Sequence, residues 1–546
     1  MKRKWTVVLL AVVMAVSAGL MSACKSGGGT IPDTDQSLQV WAFNGGYGTA
    51  WITKALQAFA ERPEVKAKYP DFQWELDATG VESVGFNKIE APKTNYYDLM
   101  SMAPEPVVKN FEQYVEPIDD VYDGAIGFGE TGLFKNKVID SVWDPLKFYP
   151  KNSNTAKRYF MPGSSSYCGI VYNKELLDAL YGAGVIDAAV PRTTGELIKI
   201  CKDVKAYSGS LYNMKTATVN TNFSVMAGKI DYWRYVYPVW WAQYDGAENF
   251  NNYLNAVVEE DGGYQYSPKI FEMPGRLESI KVEEELLWLD HGYVNPFAQS
   301  DEFMTAQNKF LDGKGLFMVI GDWYEYEMRI LQAEREAAGK HTYDMRFMRL
   351  PVVSSLADKL GLAGGDAGLA EIVDAVDAGE TGLPGVDTDD FAAVKAARGL
   401  YYNQPEGWFI PNYANGKGVA KDFLRFLATD AANAIYAANT YGSRMPFHYD
   451  LKTKASGVYN ALSPLGKSHN DLIGDSAGLT YLPLHVCYKA VYYGGLSIDF
   501  PHATQDGRMG NFLAMKKSAQ SLFDDEITWW NTGTRWSEFL LRADLK

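Results

Sequence analysis

The sequence predicts an α/β fold in which strands and helices alternate and build more than one lobe. The apolar run Leu38–Phe43 has the composition of a strand, and Ile52, Ala55, Leu56 and Phe59 then repeat at helical spacing. A helix stop and a second strand, at 72–76, complete a β-α-β unit, from which parallel sheets are built. The chain has 546 residues, which is too long for one ordinary core, so two or more lobes are expected.

Further strands and helices follow in the same alternating pattern. Strands are predicted at Tyr97–Met102, Gly169–Tyr172 and Leu316–Ile320. Asn173 is expected to cap a helix that begins at Lys174, and capping boxes are predicted for the pairs Thr193 with Glu196 and Asp322 with Glu325. Helices are also predicted over 277–290 and over 419–427. The segment 361–390 is rich in Gly, Asp and Ala, which predicts a surface insertion or mobile segment.

The N-terminus has the pattern of an export signal. Lys2, Arg3 and Lys4 precede an apolar run and small residues that end at Cys24, and the run is too short for a comfortable transmembrane span. The stretch 20–24 resembles the lipobox of bacterial lipoproteins, with Met21 where Leu is usual, and the resemblance implies that Cys24 is diacylated. Residues 1–23 are therefore predicted as the signal peptide and 24–37 as the lipidated cysteine with a flexible tether. An ordinary cleavage site that contains a cysteine is the alternative.

Composition excludes several classes of partner. The formal net charge is −15, and loss of the three cations of the signal takes it to −18, which disfavours nucleic acid and anionic membranes. Aromatic residues make up 14% of the chain, which suits stacking on sugar faces but also suits a large core. The remaining cysteines, Cys168, Cys201 and Cys487, form no disulfide framework, although one pair could bridge. None has metal-ligand spacing, so neither a metal nor a cofactor is expected.

Four segments follow one another in a recognisable order: 40–43 with the glycine loop and Trp51, 170–176 with 191–197, 310–315 with 321–323, and 420–427 with 441–446. Together they resemble the extracellular solute-binding protein family 1, the sugar receptors of ABC importers. The resemblance implies a type II periplasmic-binding-protein-like fold, with two hinged α/β lobes, each a mostly parallel sheet flanked by helices. It implies discontinuous lobes, predicted at 38–145 plus 300–355 and at 146–299 plus 356–546. Two departures are extra length, at 361–390 and after Tyr449, and a missing Trp in 191–196; such features resemble the longer receptors of Gram-positive bacteria.

Capture of a sugar needs aromatic rings for its C–H faces and polar side chains for its hydroxyls. Such side chains are expected at loop ends that face a cleft between the lobes. The ligand-binding residues predicted on this basis are Asn44, Trp51, Tyr97, Asp98, Trp240, Trp241, Asp322, Trp323, Trp408 and Arg444. Several have a structural alternative: Trp51 as helix core, Asp322 as an N-cap, and at least one of the adjacent pair Trp240 and Trp241 as core.

The predicted function is that of a monomeric, lipid-anchored receptor outside the bacterial membrane. It is expected to capture a carbohydrate, namely an oligosaccharide, and to deliver it to an ABC permease. The alternatives are a receptor for a peptide or polyamine, a secreted glycoside hydrolase, and a structural lipoprotein. No carboxylate pair is placed by a catalytic motif, and neither G-x-S-x-G nor H-E-x-x-H occurs, so an enzyme is not expected. The acidic run 387–390 leaves a calcium site open, although a solvated loop is favoured.

Overall fold

A computed structural model describes residues 31–545 except 105–106, 108, 166, 208–222, 296, 404–405 and 484–485. The signal peptide, Cys24 and residues 25–30 of the predicted tether lie outside the described residues. The described chain forms two mixed β-sheets flanked by helices, which confirms the predicted α/β class. None of its described helices combines the length and apolarity that crossing a bilayer requires.

The first sheet begins with parallel strands near the N-terminus. Its strands, in spatial order, are Gln73–Thr79, Ser37–Phe43, Leu99–Met102, Gly407–Phe409 and Phe160–Pro162. The first three are parallel to one another, and the last two join antiparallel. Ser37–Phe43 is buried almost throughout, as expected for a strand with both faces covered.

The second sheet is also mixed rather than mostly parallel. Its strands, in order, are Thr480–Pro483, Leu400–Asn403, Cys168–Asn173, Gly315–Gly321 and Ser224–Ala227, and Met345–Met348 also pairs with Cys168–Asn173. Gly315–Gly321 runs antiparallel to Cys168–Asn173 and parallel to Ser224–Ala227. Two small hairpins, Ala125–Gly127 with Glu130–Leu133 and Val257–Glu260 with Gly263–Tyr266, lie outside these sheets.

Helices cover both sheets. The α-helices are Ala50–Ala60, Pro63–Lys68, Ser83–Ile89, Phe111–Tyr114, Asp119–Tyr122, Asp140–Trp143, Lys174–Gly182, Thr194–Ala206, Tyr237–Asp245, Ala247–Leu254, Pro274–Leu287, Phe303–Leu311, Tyr324–Ala337, Leu356–Leu360, Asp366–Asp377, Thr388–Arg398, Lys417–Leu427, Asp430–Asn439, Leu451–Lys454, Ser456–Ala461, Pro464–Ile473, Lys489–Tyr492, Gly507–Leu513, Ala519–Trp530 and Arg535–Arg542. Short 3₁₀ helices occur at Phe134–Asn136, Asp144–Leu146, Ile230–Tyr235, Pro268–Glu272 and Leu289–His291. The predicted caps at Asn173 and Thr193 are confirmed, because each accepts a backbone N–H three residues later.

Strand pairing differs from the predicted lobe ranges for four strands. Phe160–Pro162, predicted for the second lobe, lies in the first sheet, and Met345–Met348, predicted for the first lobe, pairs in the second sheet. Gly315–Gly321, predicted for the first lobe, pairs with Cys168–Asn173, which was predicted for the second. Gly407–Phe409, predicted for the second lobe, pairs with Leu99–Met102 of the first sheet. The chain therefore crosses between the sheets more often than those ranges allow, because an apolar strand pattern does not specify which distant strand will be its neighbour.

The segment 361–390 is part of the second lobe rather than a surface insertion. It contains the helix Asp366–Asp377, whose residues Leu369, Ile372 and Val373 are buried in the core. Their spacing of three and four residues is the reason for a buried helix face. The Asp387 carboxylate, part of the run considered for calcium, accepts the Asp389 N–H at 2.8 Å and caps the next helix.

The cysteines Cys168, Cys201 and Cys487 are buried, and none of them forms a disulfide bond within the described residues. Burial raises the pKa of the Cys201 and Cys487 thiols, which keeps them protonated at neutral pH. In this structure they behave as small apolar core residues.

Candidate functional site

Aromatic and acidic side chains that follow strands of both sheets lie together at one place in the described chain. A cavity of about 290 Å³ opens there. Its lining residues are Phe43, Gly45, Gly46, Tyr47, Glu82, Ala103, Tyr232, Phe303, Trp323, Glu327 and Glu406. In an open α/β sheet, ligands bind beyond the carboxyl ends of the strands, and this cavity occupies that position for both sheets.

The strand order explains which residues reach this cavity. Phe43 ends the first strand, Glu82 follows the second, and Ala103 follows the third, so the parallel sheet delivers all three to one edge. On the opposite side, Trp323 follows Gly315–Gly321 and Tyr232 follows Ser224–Ala227, which are also parallel. The cavity is thus built from both sheets.

A second, smaller cavity of about 10 Å³ shares Phe43, Tyr47 and Glu406 with the first. Trp51 and Trp408 also line it, with their rings edge to face at 5.8 Å. The Trp408 side chain is 0% exposed, and its Nε1–H has no hydrogen-bond partner within the described part of the chain. An unpaired buried donor is costly, so this N–H adds a local cost to the packing of Trp408.

Trp323 is held on edge by aromatic neighbours from both sides of the cavity. Its ring centroid lies 6.3 Å from that of Tyr47 and 5.7 Å from that of Tyr235. Both ring pairs are nearly perpendicular, which is the preferred edge-to-face geometry. Gly321 provides the space for this ring, because a Cβ there would overlap it. Trp323 is only partly buried, so part of its ring stays open to the cavity.

The substitution Gly321→Ala tests this placement of Trp323. The added methyl group must displace the indole, so we expect at least a tenfold loss of ligand affinity, about 1.4 kcal/mol. Affinity is measured by isothermal titration calorimetry with a ligand that a thermal-shift screen of the protein has found. Gly382→Ala, at an exposed glycine with open space around it, is the matched control and should bind normally. Normal binding by Gly321→Ala would show that the position of the Trp323 ring is not important.

Three carboxylates line the larger cavity. Glu82 Oε1 accepts the Ala103 N–H at 2.6 Å, and Glu327 Oε2 accepts the Gln307 amide at 2.7 Å. Burial and the negative charge of Glu82 raise the pKa of Glu406 to about 8, although a hydrogen bond with Ser101 lowers it. Burial likewise raises the pKa of Glu327 to about 7, against the lowering effect of Gln307. Burial therefore disfavours the charged forms of Glu406 and Glu327 in this cavity.

The raised pKa of Glu406 predicts a pH-dependent stability that Glu406→Gln removes. A carboxyl group whose folded-state pKa exceeds its unfolded value of 4.5 binds more protons when folded, so stability falls as pH rises from about 4.5 to about 8. We expect Glu406→Gln to melt close to wild type at pH 5 and several degrees higher at pH 8. Thermal unfolding at both pH values measures this, with the exposed Glu371→Gln as control. If the melting temperatures of Glu406→Gln and wild type differ equally at both pH values, Glu406 is not the cause of the pH dependence.

Asp322 joins the two sides of the site rather than capping a helix. It is 3% exposed, and its Oδ1 accepts the Tyr47 hydroxyl at 2.6 Å. Burial raises the pKa of Asp322 to about 7. The predicted capping box of Asp322 with Glu325 is absent from the helix Tyr324–Ala337 as the structure describes it. Its N-cap residue is Trp323, which makes no side-chain cap hydrogen bond. Asp322 instead fixes the ring of Tyr47 in the cavity wall.

The structure brings only part of the predicted site together. Trp323 lines the larger cavity, and Trp51 and Trp408 line the smaller one. Asn44 is exposed in the adjoining loop, where its N–H donates to Thr79 O at 2.7 Å. These four share the carboxyl edge of the first sheet or face it.

The other predicted residues lie away from this edge. Tyr97 and Asp98 precede the strand Leu99–Met102 and so lie at its amino end, where Asp98 accepts two backbone N–H groups. Trp240 and Trp241 are both 0% exposed in the core of the second lobe. Arg444 is buried and donates to Asn470 Oδ1 at 3.3 Å and Gly474 O at 3.0 Å.

Sequence reasoning did not select the three glutamates or Tyr47. Tyr47 lies in the glycine loop 44–48 that was already identified, and Glu82 follows a strand of the same β-α-β unit. The rule that carboxyl strand ends carry the site could have found both. Glu327 lies one helical turn after the predicted residue Trp323, so the same local order pointed to its position. Glu406 gave no local signal, because its placement depends on which sheet the neighbouring segment joins.

Comparison with solved structures identifies the fold. A "probable secreted solute-binding lipoprotein" from Streptomyces coelicolor superposes with a TM-score of 0.54 at 13% identity, over 92% of this chain and 100% of the other. The chain has the fold of a periplasmic solute-binding protein. The GacH receptor of Streptomyces glaucescens, solved unliganded and with acarbose, gives a TM-score of 0.50 at 13% identity, over 90% of this chain and 97% of the other. A chitin oligosaccharide binding protein gives 0.51 at 14%, over 90% and 97%.

No family model matches the sequence, and no curated protein does. The solute-binding fold accounts for a cavity between two sheets. The ligand of this chain depends on the side chains of its own cavity.

Proposed function

We propose that the chain is an extracytoplasmic solute-binding protein that captures a saccharide between its lobes and delivers it to an ABC transporter. The observation that carries this proposal is the cavity at the carboxyl ends of both sheets, where partly open aromatic rings stand beside carboxylates. The solute-binding fold and the sugar ligands of two structural neighbours support it.

The cavity has the chemistry that a saccharide needs. The rings of Trp323, Tyr232 and Phe43 supply apolar surface for C–H faces. The carboxyl groups of Glu82, Glu327 and Glu406 can form hydrogen bonds with sugar hydroxyl groups. Peptides would instead be expected to use unpaired strand edges, for which this cavity gives no specific support.

Delivery requires that ligand closes the two lobes and that the closed form docks on a permease. Hinge closure around a ligand is a common transition in two-lobed binding proteins. Lipidation at Cys24 would hold the monomeric receptor at the outer face of the membrane near its permease. In a bacterial host, Cys24→Ala should release the protein into the medium, as fractionation and immunoblotting would show; retention of the variant at the membrane would contradict lipid anchoring.

Binding is tested by thermal shift against mono- and oligosaccharides, with peptides and polyamines as competing classes. A ligand present at a hundred times its dissociation constant should stabilise the folded state by about 2.7 kcal/mol. A shift with one saccharide class supports the proposal. A shift with peptides or polyamines alone contradicts it.

The same samples separate a receptor from a hydrolase. The neighbouring carboxylates of Glu82 and Glu406, one with a raised pKa, have features of a glycosidase pair. Chromatography of the saccharides after long incubation should recover them intact. Cleavage that Glu406→Gln abolishes would establish an enzyme instead.

A further inference from the structure

A further cavity, of about 330 Å³, lies outside the cleft between the sheets, and we call it the distal cavity. Its walls include the rings of Tyr149, Tyr266 and Tyr488 and the side-chain amides of Asn154 and Asn255. None of its described lining residues also lines either cavity at the carboxyl ends of the sheets. Its size, and its combination of aromatic rings with a few polar groups, are those of sites that bind small molecules.

The distal cavity lies at the opposite end of the first sheet from the cleft. The strand Phe160–Pro162 runs parallel to Leu99–Met102, because both are antiparallel to the strand between them. Phe148 and Lys157 pair with each other before Phe160–Pro162 begins, and the loop 149–156 extends beyond that pair. This loop, which contributes to the distal cavity, is therefore on the amino side of the sheet. The cleft lies on the carboxyl side, so the two cavities are separate places on the molecule.

Two of the three rings in the distal cavity are open to solvent. Tyr149 is 37% exposed and Tyr266 is 42% exposed. Neither side chain makes a hydrogen bond within the described residues. The ring of Tyr488 is only partly buried and is held by a side-chain hydrogen bond with Asn255. A tyrosine ring has a flat apolar face and a polar edge, so the exposed parts of Tyr149 and Tyr266 form a stacking surface around the cavity.

The hairpin that contains Tyr266 continues this surface beyond the cavity. Tyr266 lies opposite Val257 in the hairpin, and Val257 also lines the cavity. Tyr264 lies two residues before Tyr266 on the same strand, so both side chains are on the same face of the hairpin. Tyr264 is exposed, and its hydroxyl donates to Glu248 Oε1 at 2.7 Å. A ligand longer than the cavity can therefore extend along a second, fixed ring.

The charges of the distal cavity are balanced. Its charged residues, among those that the structure describes, are Lys489 and Asp544, and Lys489 Nζ donates to Asp544 Oδ2 at 2.7 Å. Hydrogen bonds from the Asn152 N–H and from Lys489 lower the pKa of Asp544, so the carboxylate stays ionised beside the ammonium group. Because the two charges neutralise each other, the cavity offers no counter-charge to an ionic ligand.

A polar group without a partner completes the distal cavity. The amide of Asn154 is exposed, and within the described chain it makes no side-chain hydrogen bond. An amide offers both donors and an acceptor, which is the combination that a hydroxyl group can use in either sense. The ligand that fits is uncharged, has apolar C–H faces for the rings, and has hydroxyls for the amide.

We infer that the distal cavity is a second saccharide site, which binds a neutral glycan chain. The rings of Tyr149 and Tyr266 cover C–H faces of the sugar, and the Asn154 amide bonds a hydroxyl group. This inference goes beyond the proposed capture between the lobes and does not depend on it. An ionic ligand would find no counter-charge here, and a hydrocarbon would leave the Asn154 amide unused.

The test is affinity electrophoresis of the mature chain in native gels, each containing one neutral polysaccharide: arabinoxylan, mixed-linkage β-glucan, pullulan or galactomannan. The acidic protein migrates in such a gel and the neutral polymer does not, so binding slows the protein. We expect at least one polymer to retard the wild type. Tyr149→Ala and Tyr266→Ala should each raise the dissociation constant for that polymer at least tenfold.

Two further variants locate the binding. Tyr181→Ala, at an exposed tyrosine of the helix Lys174–Gly182, is the matched control and should be retarded like wild type. Trp323→Ala alters the cleft and should also keep the retardation. Melting temperatures verify that every variant is folded, and Asn154→Ala serves as an additional variant because its exposed side chain supports no described contact.

Each result decides the inference. Retardation that Tyr149→Ala or Tyr266→Ala removes and Trp323→Ala keeps supports the second saccharide site. Retardation that only Trp323→Ala removes places the glycan in the cleft and overturns the inference while it supports the proposed function. Absence of retardation by all four polymers overturns the inference and leaves the cleft proposal to its own test. Binding of casein peptides that Tyr266→Ala abolishes, without binding of any polymer, overturns the saccharide class.

Discussion

Replacing Trp323 with alanine should weaken saccharide binding by about 30-fold or more, which corresponds to at least about 2 kcal/mol. The ring stands between the two sheets, with Tyr47 on one side and Tyr235 on the other, and part of it remains open to the cavity. Truncation removes the ligand's stacking surface and the support for Tyr47 together. Calorimetry with the best-binding saccharide measures the loss.

A matched tryptophan distinguishes loss of the site from loss of stability. Trp536 is also partly buried but packs against Phe271 and Phe539 in the second lobe. Trp536→Ala should lower the melting temperature and leave affinity unchanged. If Trp323→Ala binds as tightly as wild type, the cavity described here is not where the saccharide stacks.

The position of Trp323 could be predicted from sequence because it depends on local order. A buried apolar strand, Leu316–Ile320, is followed by a turn and a helix, so a residue directly after the strand must lie at its carboxyl edge. The glycine loop 44–48 was informative for the same reason. In both places one short segment contains all the information that is needed.

The pair Trp240 and Trp241 shows where such reasoning fails. The aromatic density of this segment suggested a ligand surface, but the helix Tyr237–Asp245 is buried on nearly all sides. The Trp241 ring meets Phe250 and Tyr253 at 5.0 and 4.7 Å, and Trp240 Nε1 donates to Pro351 O at 3.2 Å. A helix that is apolar all around indicates a core, a distinction that counting aromatic residues does not make.

Glu406 could not be found for a different reason. Glu406 reaches the cavity because Gly407–Phe409 inserts between Leu99–Met102 and Phe160–Pro162 in the first sheet, although the preceding strand, Leu400–Asn403, belongs to the second sheet. This arrangement depends on pairing between segments hundreds of residues apart. Periodicity in one window contains no information about it.

The extra length after Tyr449 was a departure from the expected pattern, and the structure shows that much of it builds the second lobe. Phe271 and Trp530 stack at 4.5 Å, and the Ala519 N–H donates to Glu284 Oε2 at 2.8 Å. The helix Gly507–Leu513 contributes Arg508 to the same core. The C-terminal segment should therefore be needed for folding rather than serve as an appendage.

Removal of the Arg508 side chain tests that conclusion with a large expected effect. Arg508 and Glu283 form an ion pair in which both side chains are 0% exposed, and the guanidinium lies 3.8 Å from the Tyr237 ring centroid. Arg508→Leu leaves the Glu283 charge buried without its partner, so we expect a loss of about 3–5 kcal/mol in the free energy of unfolding. Denaturant unfolding measures it.

The double variant Arg508→Leu with Glu283→Leu identifies the cause of that loss. Replacing both members of a buried pair by apolar groups removes the stranded charge, so much of the lost stability should return. Lys516→Ala, which breaks an exposed pair with Asp506 in the same segment, should cost less than about 1 kcal/mol. If Arg508→Leu costs as little as Lys516→Ala, the segment is not coupled to the lobe. If it costs several kcal/mol and the double variant recovers stability, the C-terminal segment and the helix Pro274–Leu287 unfold as one unit.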